Sequence, residues 1–409
     1  MAETSLSRAP VRTVSWRPKP SSAVGLCLIA PLVLLVILFL VLPLLRFAFL
    51  SVDNINVAGA LSRTAQAMKN HPAGPVPDDA VFAAFGQDLA RDPEGVAKLA
   101  ARLNFFEGGM NSLVRKTTAQ LGKIEPNRVG FITFDKRWGE PKTWRAISLA
   151  THSVIPEYYL NALDMRTSDP SSAFSIEAKP EGQRIYLRLW SRTIFVALFV
   201  VSVCTLVGYP IAYYLSKARG AVFTCAMGLV LLPFWTPLLA RIASWQVLLE
   251  SNGVINSILV GSGLVDAASR PQLLNNLFAT VLVMSYVLLP YAVLPTYAVM
   301  NRVQPSLFSA ALTLGASPLR AFFSVYLPQT LPGVLAGGIL IFVLSFGFYL
   351  TPELVGGPSG SLIGNLIAYN FSQSLNWGLA GALSTMLLLV IAAAALLLRA
   401  VRPKPARKA

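Results

Sequence analysis

Side chains able to do covalent, redox or metal chemistry are sparse in this sequence. Cys27, Cys204 and Cys225 each lie inside or beside an apolar stretch. Their spacing fits neither a zinc site nor a disulfide framework, so they read as buried, inert thiols. His71 and His152 are too few and too far apart to suggest a metal site. No segment has the form of a glycine-rich phosphate loop. Catalytic, metal-ligating and cofactor-binding residues are therefore all expected to be none, and what remains is binding chemistry. Arg241 and Glu353 stand at the ends of apolar runs, where a charge is costly and marks a functional candidate. Arg241 could equally reach lipid headgroups or pair with Glu250, and Glu353 could serve a helix end or an ion pair. Trp235, Trp245, Tyr286 and Tyr349 could offer ring faces to a cation or sit in interfacial aromatic belts.

The elements that must position these residues are apolar spans. Of the 409 residues, 54% are hydrophobic and only 13% charged, against about 25% charged in soluble domains, so lipid is a major solvent. The net charge of +15 lies beside apolar runs rather than in aromatic-interleaved stripes, which excludes nucleic acid as the partner. Residues 21–50 hold an apolar run too long for a cleaved signal and long enough to span a bilayer. Five more runs follow, near 191–215, 221–248, 277–300, 331–352 and 379–400. Between the first two lie residues 51–188, with 17 Lys+Arg and 15 Asp+Glu, a folded extramembrane domain of mixed, mostly helical structure. Asp78–Arg91 and Glu94–Phe106 have helical spacing, whereas Val129–Phe134 alternates like a strand.

Charge sets the orientation. The 1–20 tail, the 216–220 and 301–330 loops and the tail from Arg399 together carry thirteen Lys+Arg and one acid, Glu3. The positive-inside rule puts these, and both termini, in the cytoplasm. The 51–188 domain then faces the periplasm.

The 301–330 loop is unusually long. A helix from about Ser306 to Leu314 should stop at Gly315. A second should start after Ser317-Pro318, with serine as cap and proline in the first turn, and end before Pro328. Ala310, Ala311, Gly315 and Ala316 keep its surface low, and Phe322 and Phe323 are candidate anchors. On spacing alone, an amphipathic connector lying on the membrane explains it equally well.

Ala310, Ala311, Leu314, Gly315, Ala316, Phe322, Val325, Leu327, Pro328, Pro332 and Gly333 occur in the order and spacing of a known motif. The segment resembles the EAA loop of ABC-importer permeases. From about residue 190 onward, Gly208-Tyr209-Pro210, Leu232-Pro233-Phe234-Trp235, Leu289-Pro290-Tyr291, Glu353-Leu354-Val355-Gly356-Gly357 and Leu362-Ile363-Gly364-Asn365 are similar to permeases of spermidine/putrescine importers. The resemblance implies an α-helical integral membrane protein with six transmembrane helices. Its core would be 189–402, carrying five of them, followed by a 403–409 cytoplasmic tail. It implies coupling to a separate ATPase through Ser309, Ala310, Ala311, Leu314, Gly315, Ala316, Arg320 and Phe322, with ATP and magnesium bound by that ATPase. The implied partners are a cytoplasmic ATPase dimer, a second permease chain of different sequence and a periplasmic solute-binding protein. The implied site is the bacterial inner membrane.

Under the resemblance the substrate is a polyamine, with opine-like compounds, phosphonates, thiamine or ferric iron as alternatives, and Arg241, Trp235, Tyr286, Tyr349 and Glu353 are pathway candidates. Two features depart from the pattern: Ser309 stands where the family has glutamate, and 51–188 replaces a short loop. A sensor would need a long signalling segment after its second span, and a secondary transporter would need intramembrane relays or repeats. Neither is visible.

Overall fold

The computed structural model describes residues 22–70, 76–91, 93–167 and 176–401. The 1–20 and 403–409 tails and His71 lie outside these residues. The chain divides into two units, the first ending at Arg46 and the second running from Phe47.

The first unit is a helix from Ser22, with a π-helical turn at Ile37–Val41. From Cys27 to Arg46 every side chain is exposed, an apolar surface suited to lipid or to another apolar helix.

The second unit is helical nearly throughout. Helices long and apolar enough to cross a bilayer are Cys27–Leu50, Tyr186–Lys217, Leu277–Met300, Pro318–Gly347 and Trp377–Leu396. The run at 221–248 is not one straight helix. It breaks into Gly220–Trp235 and a following segment from Leu238, bent by 101°. Pro237 is the cause: proline disfavours helical geometry in the residue before it, and Thr236 is extended at φ −101°, ψ 138°. The expected helix end before Pro328 is also absent. Phe322–Tyr326 forms a π turn in which the Leu327 N–H donates to the Phe322 carbonyl. Pro328 then lies inside the continuous Pro318–Gly347 helix, directly after the π turn, a local adjustment that accommodates proline in an apolar helix. Helix 277–300 lies against the helices on either side. A Cβ on Gly208 would lie 3.1 Å from Ala292 Cβ, and one on Gly337 3.0 Å from the Tyr291 carbonyl. Pro295 has no N–H to offer that carbonyl, so close approach of small residues covers it.

Within 51–188 an aromatic core forms around Phe82, Phe85, Phe131, Trp138 and Trp144. Asp88, buried, accepts from Thr64 N–H and Oγ1 at 2.8 and 2.7 Å. Val129–Phe134 is helical rather than a strand. Asn127 caps Arg128–Phe134 by accepting from Gly130 N–H at 2.7 Å, and the cap outweighs the alternation. Two short strands, Met165–Thr167 and Ile176–Ala178, pair antiparallel.

The domain is tied to the spans. Asp164 accepts from the backbone N–H of Ile185, Tyr186 and Leu187 at 3.1, 3.2 and 2.7 Å, capping the Tyr186–Lys217 helix. Tyr158, Ala162, Tyr186 and Trp190 share a core with Ile363, Leu379, Ala382 and Leu383. The Tyr186–Lys217 helix runs through residues 188 and 189, and the described residues from Phe47 onward form one compact unit. Of the three thiols, only Cys204 is buried, donating to the Ser285 carbonyl at 3.4 Å; Cys27 and Cys225 are exposed on apolar helices, contrary to expectation.

Candidate functional site

The 301–330 segment folds as two helices around a glycine turn. Pro305 opens the first, Pro305–Thr313. It closes with a two-bond cap in which Ala316 N–H donates to the Ala311 carbonyl at 3.1 Å and Gly315 N–H to that of Leu312 at 2.9 Å. This is the Schellman arrangement, which needs a left-handed residue at the turn, and Gly315 supplies it at φ +87°. Ser317 then accepts from Arg320 N–H at 3.4 Å, with Pro318 in the first turn of the next helix.

The two faces of this element differ. Leu314 is 89% exposed, Leu319 73% and Phe323 62%, with Ser309, Ala310, Gly315 and Arg320 also exposed and Ala311 and Ala316 half-buried. Phe323 is thus part of the exterior, not an anchor. Phe322 turns inward. Its ring meets Tyr209 and Tyr213 edge-on at 6.2 Å each and stacks on Tyr326 at 5.7 Å. Lys217 lies over Tyr213 and Tyr326, and Tyr209 OH hydrogen-bonds Thr330 Oγ1 at 3.0 Å. The aromatic cluster joins the turn to the ends of helices 186–217 and 327–347. Ser309 Oγ donates to the Pro305 carbonyl at 3.4 Å and accepts no charged partner among the described residues. An exterior of bare leucines and small residues, backed by a packed aromatic anchor, can dock in another protein's groove and pass on its displacement.

The remaining candidates form two groups and two single residues. Asn365 Nδ2 donates to Glu353 Oε2 at 2.6 Å and to the Tyr349 carbonyl at 2.9 Å, while its Oδ1 accepts from Leu362 N–H. Glu353 and Tyr349 are both exposed. Trp245 and Tyr286 pack edge-on at 5.4 Å. Gln246 Nε2 donates to the Leu354 carbonyl at 2.6 Å and so connects the two groups. Trp235 stands alone, 78% exposed. Arg241 makes no ion pair with Glu250, and its Nε is buried without a hydrogen-bond partner. Asn365 was visible in the sequence only as part of a motif, and Gln246 carried no signal. Gly356 and Gly360 flank Thr280, where a Cβ on either would lie 2.5 Å from Oγ1. Among the described residues no cluster of His, Cys, Asp or Glu could hold a metal ion.

Several helices long and apolar enough to cross a bilayer, with a protruding two-helix loop between Leu277–Met300 and Leu327–Gly347, define a multi-pass helical membrane protein. The family described as binding-protein-dependent transport system inner membrane component matches residues 205–406. The spermidine/putrescine transport system permease protein PotB of Haemophilus influenzae is 32% identical over 244 residues, 58% of this chain and 85% of that one. PotB of Escherichia coli K12 is 31% identical over 207 residues, 51% of this chain and 74% of its own. A probable molybdenum ABC transporter permease of Haloferax volcanii is 30% identical over 264 residues, 63% and 90% of the two chains. This chain belongs to the binding-protein-dependent transport system inner membrane component family, as a non-catalytic, multi-pass permease component of an ABC importer.

Proposed function

We propose that this permease carries a polyamine of the spermidine/putrescine class inward by alternating access, driven by a separate ATPase dimer docked on residues 301–330. Six spans make up the membrane part, with Gly220–Trp235 and the bent segment after it acting as one. Both termini are cytoplasmic, and residues 51–188 face the periplasm. A second, different permease chain completes the pathway, and a periplasmic solute-binding protein delivers the substrate.

The observation that carries the coupling role is the exposed Leu314–Gly315 turn set on the Phe322 aromatic anchor. ATP-driven closure of the ATPases moves the turn, and the anchor moves helices 186–217 and 327–347 with it. Ser309 replaces a carboxylate with a hydroxyl, so docking here relies on shape rather than charge. The substrate class is supported by the two PotB relatives and by Glu353, whose exposed carboxylate attracts cations to one end of the pathway. With few acids in the spans, the binding protein makes the first selection.

The test is ATP-dependent polyamine uptake into vesicles by the Gly315→Val variant. A β-branched residue at φ +87° is strained, although the space around Gly315 is open, so the protein should insert normally and lose uptake. Normal uptake by the inserted variant would refute the coupling role.

A further inference from the structure

A cavity of about 760 Å³ opens where the insertion meets the turn before the Trp377–Val401 helix. Its charged lining is Lys98, Arg102 and one carboxylate, Asp53. Arg102 is held in place: its Nε donates to Asn54 Oδ1 at 3.0 Å, its Nη2 to the Asp53 carbonyl at 3.2 Å, and its guanidinium lies 4.3 Å from the Tyr158 ring centroid. Among the described residues neither Lys98 nor Arg102 makes an ion pair. Asn56 and Asn376 add side-chain amides to the rim. The lining is therefore cationic and rich in donors, which suits an oxyanion and not a polyamine.

The apolar side of the cavity points to the kind of anion. Leu50, at the end of the Cys27–Leu50 helix, and Trp377, at the start of the last one, both line it. Beside them Phe371, Leu375 and Trp377 are 50%, 68% and 50% exposed. A tryptophan at a span end sits at headgroup level. Charged donors on one side and exposed apolar groups at span ends on the other match an amphiphile with a phosphate head. We propose that this cavity holds the phosphate-bearing headgroup of an anionic phospholipid, fixing the insertion against the last span. The proposal rests on the outward placement of residues 51–188 given above.

The experiment uses the full chain reconstituted in an equal mixture of phosphatidylcholine and phosphatidylglycerol, with retained lipid read by native mass spectrometry. The wild type should keep phosphatidylglycerol selectively. Lys98→Gln should lower that retention about fivefold, the worth of one basic side chain near an anionic headgroup, and Asn56→Asp should lower it too. Both residues are exposed and make no hydrogen bond through their side chains, so both variants should fold. Equal retention in wild type and variants would overturn the proposal. So would displacement of the lipid by inorganic phosphate alone, which would make the cavity a site for small anions. Loss of binding-protein-stimulated ATPase activity in Lys98→Gln with lipid retention unchanged would make it a protein-docking surface instead. The topology is checked separately by labelling Lys98→Cys with a membrane-impermeant thiol reagent. Labelling from the cytoplasmic side alone would overturn the topology, a failure distinct from loss of lipid selectivity.

Discussion

Three residues give tests at the local scale: Gly315 and Asn365, described above, and Asp135 in the insertion. Gly315 is the one position in the coupling turn where backbone geometry excludes other residues, because the two-bond cap holds it at φ +87°. Asn365 orients Glu353 and anchors Tyr349 through a single amide. Asn365→Leu should leave the exposed Glu353 carboxylate to water, without the amide that fixes its orientation. The expected result is weaker half-saturation for polyamine uptake with the protein still inserted, and unchanged half-saturation would remove Glu353 from the pathway. Asp135, in the insertion, is held below the ordinary carboxylate range chiefly by its hydrogen bonds from the Arg137 side chain, at 3.0 and 2.9 Å. A depressed carboxylate pKa stabilises the fold above the unfolded value near 3.8 and loses that contribution as pH falls through the folded value. Thermal melting of the full chain in detergent, followed by tryptophan fluorescence, should fall more steeply below pH ~4 in the wild type than in Asp135→Asn. Parallel profiles would show that the pair does not matter to stability.

Helices were legible in the sequence where apolar runs were long, and least legible where a single residue redirected the backbone. The runs at 277–300 and 379–400 correspond to helices within a few residues. The run at 221–248 looked continuous because hydrophobicity does not register Thr236-Pro237, which bends it by 101°. Val129–Phe134 looked like a strand because alternation over six residues fits either period, and the deciding bond comes from Asn127, outside the window. The helix–glycine–helix turn was readable because its signals are local: proline openings, a serine cap and a glycine stop. The orientation of Phe322 was not, since it depends on Tyr209 and Tyr213 about a hundred residues earlier. Pro237→Ala should straighten the bent pair, because it restores an N–H and frees the preceding residue to be helical. Spin labels at Leu232 and Val247, both exposed, should move apart in that variant, and an unchanged distance would assign the bend to packing instead.

At the scale of the whole molecule, the insertion and the spans that follow it form one compact unit among the described residues from Phe47 onward. Composition divides them sharply at residue 188, yet Asp164 caps a span and Tyr158 seats against Gly378, where a Cβ would lie 2.4 Å from its ring. Composition registers the solvent each part faces and is blind to contacts between parts, so the attachment left no trace in the sequence. Gly378→Ala should lower the melting temperature of the full chain, and adding Tyr158→Leu should restore part of the loss by making room. No recovery would place the strain elsewhere. The central claim concerns the 301–330 turn, proposed above as the docking point of an ATPase. Leu314, 89% exposed at the tip of that turn, is the place to test it. In a background with the native cysteines replaced, Leu314→Cys bearing a photo-crosslinker should join the permease to its ATPase subunit in membrane vesicles, with a yield that changes when ATP is added. A properly inserted protein whose Leu314 position crosslinks only to lipid, with or without ATP, would contradict the account.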